Sequence, residues 1–338
     1  MAEIWRRVGL IVNPAAGSGV NESLVAARHV VERCGAQFVF TGPGQAGSAA
    51  LSGWHGQVQV HNPESSAPSK QTRALARWMK EQRLDGLIVV GGDGTLSDAG
   101  IEVGGTLPIL GIGAGSTNVG RLITCCASRV EELSFAELDI WKTDALLASV
   151  NDSLVGMAFN DVVIGSTIVG TLNGQRCDLS AAERKHGRLT ALQPRSIGNR
   201  ETKVTRISPA ERTLIASGEA VGTVVAGFAE PAFFGKAITG GICLASLTGL
   251  PAGCLVCNLP LAQVGITAQT LLNAPAVISQ YVSLSEDTTI EVEHLEGDAV
   301  LCVDGNPAHQ FVMSDRLTIS VRTGAAIGVR ARKDLRSA

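Results

Sequence analysis

Leu87-Ile88-Val89-Val90-Gly91-Gly92-Asp93-Gly94-Thr95 decides the reading of this chain. Four β-formers in a row that break into Gly-Gly read as a buried strand ending in a tight loop. Glycines there tolerate positive φ and let a phosphate or a ribose approach the main chain without meeting a Cβ. Thr95 is placed to cap a helix starting around Leu96, whose first N–H groups would face an anion in the loop. Asp93 is the exception in such a cradle. An acid there makes sense if it holds a metal ion or takes a proton from an attacking hydroxyl. An ordinary βα turn is the competing account, since Gly-Asp-Gly is common in turns.

Working outward, 338 residues at roughly 150 per domain suggest two domains. The chain is 45% hydrophobic and 17% charged, the balance of a globular protein with a sizeable core. Aromatics make up only 4% while glycines number 39, so the core must be built from Val, Ile, Leu and Ala, which suits parallel strands covered by helices. A net charge of −3 without a long basic run argues against nucleic acid or an anionic membrane as main partner. Met1 to Arg7 runs directly into the strand-length Val8-Gly9-Leu10-Ile11-Val12, so no signal peptide is expected. No apolar stretch approaches the ~20 residues of a membrane helix, and the expected location is cytoplasmic. The eight cysteines are scattered. Cys254-Leu255-Val256-Cys257 is a lone CxxC in an apolar run, and buried reduced thiols suit it better than zinc or redox chemistry.

Strand and helix patterns alternate over the first third. Strands are expected at Val8–Val12, Gln37–Phe40, Val58–Val60, Leu87–Val90 and Leu107–Ile112. Helices are expected at Glu22–Cys34, Gln71–Arg83 and Ser97–Val103. That alternation predicts right-handed crossovers and a parallel, Rossmann-like sheet with its ligand loops at the carboxyl ends of the strands. From about Leu138 the pattern becomes a series of β segments separated by Gly, Asn, Asp and Pro turns. The fold class expected is therefore α/β plus β: a Rossmann-like domain over residues 1–125 and a β-rich, sandwich-like domain over residues 126–338, facing each other across a cleft. Ser180 to Leu192, with Arg184, Lys185, His186 and Arg188, reads as a helix or a lid.

Three glycine-rich loops follow strands of the first domain: Asn13 to Gly19 with Gly17 and Ser18, then Gly91 to Thr95, then Gly113-Ala114-Gly115-Ser116-Thr117-Asn118. In a parallel sheet all three lie on one edge, where their N–H groups can wrap phosphate oxygens. Neither a Walker A loop nor a GxGxxG after the first strand is present. In the second half, Asn160-Asp161 interrupts the apolar run Ala158 to Ile164, which suggests a strand end or bulge that binds something, or a local Asx turn. Val303-Asp304-Gly305-Asn306 reads as a hairpin turn. Lys236, among aromatics and glycines in Phe233 to Gly241, and Arg121, just past the third loop, are candidate phosphate cations.

The order Asn13-Pro14…Gly17, Gly91-Gly92-Asp93-Gly94-Thr95, Leu110-Gly111-Ile112 with its loop, Asn160-Asp161 and Asp304-Gly305 resembles the NAD kinase superfamily, which also holds the diacylglycerol and sphingosine kinases. Within it the chain is most similar to the ATP-NAD kinase-like proteins that include acetoin-catabolism protein X. The resemblance implies a Rossmann-like first domain, a β-rich second domain, ATP with Mg²⁺ as phosphoryl donor, and NAD as substrate. It implies Asp93 as base or orienting group for the ribose 2′-hydroxyl. It implies that Gly92, Gly94 and Thr95 line the phosphate site; the loop residues Asn13, Gly17, Ser18, Gly91, Gly115, Ser116, Thr117 and Asn118, with Lys236, stand beside them as candidate nucleotide-binding positions read from their residue types. Asn160 and Asp161 would hold the adenosine part. It also implies a homo-oligomer. The expected activity is transfer of a phosphoryl group to the ribose hydroxyl of NAD or a related small hydroxyl metabolite. The alternatives are a kinase for another small metabolite and a non-catalytic NAD- or ATP-binding regulatory protein; a lipid kinase fits less well. The Thr-Pro-Thr-Gly-Ser-Thr-Ala-Tyr-like segment of NAD kinases is replaced here by Gly227-Phe228-Ala229-Glu230-Pro231 and Phe233 to Gly241, which bears on the acceptor.

Overall fold

A computed structural model describes residues 5–65, 67–115, 118–173, 175–228, 249–260, 268–273, 277–295 and 297–336. The chain forms two compact units, Met1–Ala145 with Thr323–Ala338, and Leu146–Arg322.

The first unit is a parallel sheet built from β1 (Arg7–Val12), β2 (Phe38–Thr41), β3 (Gln57–Val60), β4 (Gly86–Gly91) and β5 (Pro108–Gly113), in the order β3-β2-β1-β4-β5. Helices α1 (Val20–Arg33), α2 (Pro68–Lys80) and α3 (Asp93–Val103) connect them. Alternate strand residues divide between the faces, as the pleat requires. Val8, Leu10, Val12, Ile88, Val90, Leu110 and Ile112 share one cluster with Ala26, Ala27, Val30 and Val31 of α1. On the other face α2 lies so close that a Cβ at Gly9 would stand 2.8 Å from Met79 Sδ. The β1–β4 and β4–β5 registers set Val12 beside Val90 and Gly91 beside Gly113, so the three carboxyl ends finish level.

The division at Ala145 corrects the boundary expected near residue 125. β6 (Ile123–Cys126) pairs with β5, and Cys125, Ala127, Val130 and Leu133 belong to the first unit's core. The C-terminal stretch returns to that core through Val329 and Leu335, and Thr124 Oγ1 donates to the Val329 carbonyl at 2.7 Å. A change from βα to β patterning marked the end of the crossovers, and the core continued past it.

The chain enters the second unit on β7 (Leu138–Val150) and leaves it on β20 (Arg316–Ala331). Within this unit the strands are β8 (Ser153–Ala158), β9 (Asp161–Gly165), β10 (Thr167–Leu172), β11 (Gln175–Ser180), β12 (Lys203–Ile207), β13 (Arg212–Ser217), β14 (Thr223–Phe228), β15 (Ala252–Cys257), β16 (Ser279–Leu284), β17 (Thr289–Glu293), β18 (Val300–Val303) and β19 (Asn306–Gln310). One antiparallel sheet runs β16-β15-β14-β9-β18-β19, and another places β12 and β17 between β13 and β20. Their inner faces share one core, with Val224, Ala226, Cys254, Val256, Val162 and Ile164 from the first and Val204, Ile290, Val292, Leu317 and Ile319 from the second. Cys254 joins this core while Cys257 joins a cluster with Val225 and Leu255 on the other face. Residues three apart on a strand point oppositely, so the CxxC is two separate buried thiols; burial pushes the Cys254 thiol up to about 12.

Residues 180–192 are not one helix. α4 spans only Ala181–Lys185, capped by Ser180 Oγ, which accepts from the Glu183 amide. The chain then rejoins β11, with the Ser180 amide donating to Thr190 and the Leu192 amide to Asp178. Among the described residues no helix is long and apolar enough to cross a membrane.

Candidate functional site

β4 is apolar because both its faces are covered, and it ends where Gly91 must pass Thr95; a Cβ at Gly91 would stand 2.7 Å from the Thr95 side chain. α3 starts three residues earlier than the sequence suggested, with Gly92 at the N-cap and Asp93 as its first residue. Thr95 is therefore inside the first turn and does not cap it. Its amide and that of Leu96 donate to the Gly92 carbonyl, and its hydroxyl accepts from Asn13 Nδ2 at 2.8 Å. An acid in the first turn is favoured by the helix dipole. Asp93 is nonetheless only 9% exposed.

Its carboxylate is held by the third loop: Oδ1 accepts from the Gly120 amide at 3.0 Å and Oδ2 from the Val119 amide at 3.4 Å. Glycine is needed at 120, where a Cβ would stand 2.8 Å from Asp93 Oδ1. The second and third loops touch backbone to backbone, since a Cβ at Gly115 would lie 2.9 Å from the Gly92 Cα. The Ala114 amide donates to Gly91, while Asn118 Oδ1 accepts from the Gly115 amide at 2.8 Å and Asn118 Nδ2 donates to the Gly115 carbonyl. The first loop joins in through Asn13, whose Oδ1 accepts from Ala15, and through the Ser18 amide, which donates to Ala114 at 2.8 Å.

The three loops thus meet, but in a way composition did not show. The amides of Ala15, Ser18, Ala114, Gly115, Val119 and Gly120 are spent on protein acceptors rather than turned toward an anion. What fits a phosphate is the first turn of α3, since the leading N–H groups of a helix have no intrahelical acceptor, together with Ser18 Oγ, a shielded hydroxyl without a hydrogen-bond partner among the described residues. Gly17 lies on the exposed part of the first loop. Arg121 is mostly buried, with its guanidinium 3.6 Å from the Asp144 carboxylate, which also accepts from the Gly324 amide at 3.0 Å. Arg73 and Arg77 of α2 tie down α3 through Asp98 and Glu102. Burial raises the Asp98 carboxyl above its ordinary 3.8, with hydrogen bonds from Ser69 and Arg73 pulling the other way. Ser116, Thr117 and Lys236 lie outside the described residues.

In the second unit, the chain breaks between β8 and β9 at Phe159-Asn160, where Asn160-Asp161 interrupts the apolar run Ala158 to Ile164. Asn160 is 6% exposed, yet its Oδ1 has no hydrogen-bond partner among the described residues. A buried, unsatisfied amide oxygen is costly in a finished fold, and a ligand donor is one way to satisfy it. Asp161 opens β9, and its carbonyl accepts from the Asp304 amide. Asp304 was read as a turn residue and is one, with φ of 46° followed by Gly305 at 79°. Sequence reasoning missed its inward-facing carboxylate, which accepts from the amides of Phe159, Asn160 and Asp161. The signal available was an acid at a β-turn directly following four apolar strand residues.

Residues 8–119 match the ATP-NAD kinase N-terminal domain. An uncharacterized protein of Archaeoglobus fulgidus is 27% identical over 304 residues, covering 89% of this chain and 91% of its own. The fold is that of yeast NADH kinase, solved with NADH, at a TM-score of 0.53 and 13% identity, covering 98% of this chain and 85% of that one. A diacylglycerol kinase-like protein of Bacillus anthracis str. Sterne has a TM-score of 0.51 at 14% identity, over 98% of this chain and 99% of its own.

Proposed function

We propose, from the premise that residues 8–119 are an ATP-NAD kinase N-terminal domain, that this chain is a phosphotransferase moving a phosphoryl group from ATP to a hydroxyl of NAD or a closely related small molecule. One observation carries the reading: Asp93 stands at the start of α3 with its carboxylate aimed by the Val119 and Gly120 amides. Phosphoryl transfer asks little covalent work of a protein and much positioning, and an oriented carboxylate beside a helix N-terminus offers both a partner for the attacking hydroxyl and a phosphate seat. Ser18 Oγ and the first-turn amides of α3 would receive phosphate oxygens. Asn160 and Asp161 would hold the adenosine part, with a donor on the nucleotide meeting Asn160 Oδ1. Mg²⁺, arriving with the nucleotide, would neutralise phosphate charge.

The replacement of the usual second-domain segment by Gly227 to Pro231 and Phe233 to Gly241 supports a second reading, a kinase for a different small hydroxyl metabolite. A cytoplasmic homo-oligomer belongs to the same proposal. Release of ADP from ATP and Mg²⁺ in the presence of NAD, NADH or small polyols tests both readings. Turnover with NAD or NADH supports the first, turnover only with a polyol the second. Binding of NAD or ATP with no ADP formed from any acceptor overturns both in favour of a regulatory nucleotide-binding protein.

A further inference from the structure

Asp304 and Gly305 form the two-residue turn between β18 and β19, both in the left-handed region that such a hairpin turn needs. For the turn alone, an Asn with its side chain in solvent would serve. Asp304 instead is 6% exposed, and its carboxylate accepts from the main-chain amides of Phe159 at 2.7 Å, Asn160 at 2.9 Å and Asp161 at 2.8 Å. Its own amide returns a bond to the Asp161 carbonyl at 2.9 Å. Four bonds from one residue therefore immobilise the short break between β8 and β9. Three amides converging on one carboxylate form a charge-assisted nest that a neutral side chain cannot reproduce. That break carries Asn160, whose buried Oδ1 has no hydrogen-bond partner among the described residues. A flexible segment would turn such an oxygen toward solvent or a neighbouring donor; this one is prevented from doing so.

We propose that Asp304 is a positioning residue for nucleotide binding, holding Asn160 and Asp161 toward the ligand without touching it. This rests on the reading of Asn160 and Asp161 as nucleotide-holding residues. Asp304→Asn keeps the size and the tolerance for positive φ, but sets an NH₂ group among three N–H donors. On the full chain, with NAD and ATP–Mg²⁺, this variant should raise the NAD KM and the calorimetric Kd by about tenfold or more while kcat stays within about threefold, because binding geometry is lost and the reacting groups are not. Asn160→Ala should raise the same constants, and the double variant should be no worse than Asn160→Ala alone within about twofold, since both act through one side chain. Multiplying effects, or an Asp304→Asn variant that binds NAD normally, overturn the proposal. No effect of Asn160→Ala, or no binding of NAD or ATP by the wild type, overturns it by bringing down the reading beneath it, and that is a distinguishable result. Hydrogen exchange on the wild type serves if Asp304→Asn does not fold. Amides of 159, 160 and 161 as protected as those of β9 support the clamp, and amides exchanging as freely as an open turn sink it.

Discussion

Each unit of this protein buries one aspartate whose carboxylate gathers main-chain amides from another segment, and the two are held differently. Asp304 takes three amides at 2.7 to 2.9 Å. Asp93 takes the Gly120 amide at 3.0 Å and the Val119 amide at 3.4 Å. The first sits in a rigid hairpin turn between antiparallel strands; the second sits on the first turn of a helix whose dipole already favours its charge. A carboxylate committed to three short bonds is an anchor. In the proposed function, the other, oriented by longer bonds beside a helix N-terminus, would engage the attacking hydroxyl. Similar side chains in similar burial thus differ in the lengths of the main-chain bonds they accept, and the proposed division into scaffold and chemistry rests on that difference.

The sharpest way to break that comparison is Asp93→Asn. With ATP and the accepted hydroxyl compound, kcat should fall about a thousandfold, the range of a lost general base, while the melting temperature moves little. Near-normal turnover would remove Asp93 from the chemistry. Asp304→Ala should invert the pattern. Three buried amides lose their acceptor at once, and urea unfolding should show a loss of about 3–5 kcal/mol. A loss under about 1 kcal/mol would mean that water replaces the carboxylate.

Gly120→Ala probes the looser hold. The new methyl meets Asp93 Oδ1 at 2.8 Å, so it should cost about 1–3 kcal/mol and lower kcat about tenfold by turning the carboxylate. An unchanged kcat would show that its orientation is not used. Asn13→Ala removes the bond to Thr95 and should cost about 1 kcal/mol in the same unfolding measurement.

The smallest effect concerns Asp98, further along α3. Burial places its folded pKa above the ordinary 3.8, so the folded state binds the extra proton and stability falls as pH rises through that window. The cost is complete above the folded value. Asp98→Asn should lose this dependence, and any deficit of the wild type against the variant in melting temperature should shrink as pH is lowered from 7 toward about 4. A difference that stays constant over that range would place the carboxyl at its ordinary value.

Much of the first unit was legible because its physics is local. Four apolar residues before Gly91, and the helix expected over Gln71–Arg83, follow from burial on two faces and one. The start of α3 was misplaced by three residues because Gly92 rather than a side-chain oxygen occupies the N-cap. The break at Asn160 was legible as two poor strand formers in an apolar run. Its clamp was not, since Asp304 lies 143 to 145 residues away in sequence from the amides it holds. The boundary near residue 125 failed for a related reason. β6 and the C-terminal stretch rejoin the first core from a distance, and no local pattern records a long-range pairing.

The sequence by itself determined that a strand ends in Gly91–Thr95 with an acid in the loop, that a β-rich half follows, and that glycine loops cluster at strand ends. These depend on burial period and backbone freedom, which each residue carries with it. Only the tertiary structure decided that the loop amides of Val119 and Gly120 turn inward onto Asp93, and that a hairpin acid holds Asn160 in place. Which donor meets which acceptor depends on segments brought together by the whole fold, and a side chain's identity does not say whom it will face.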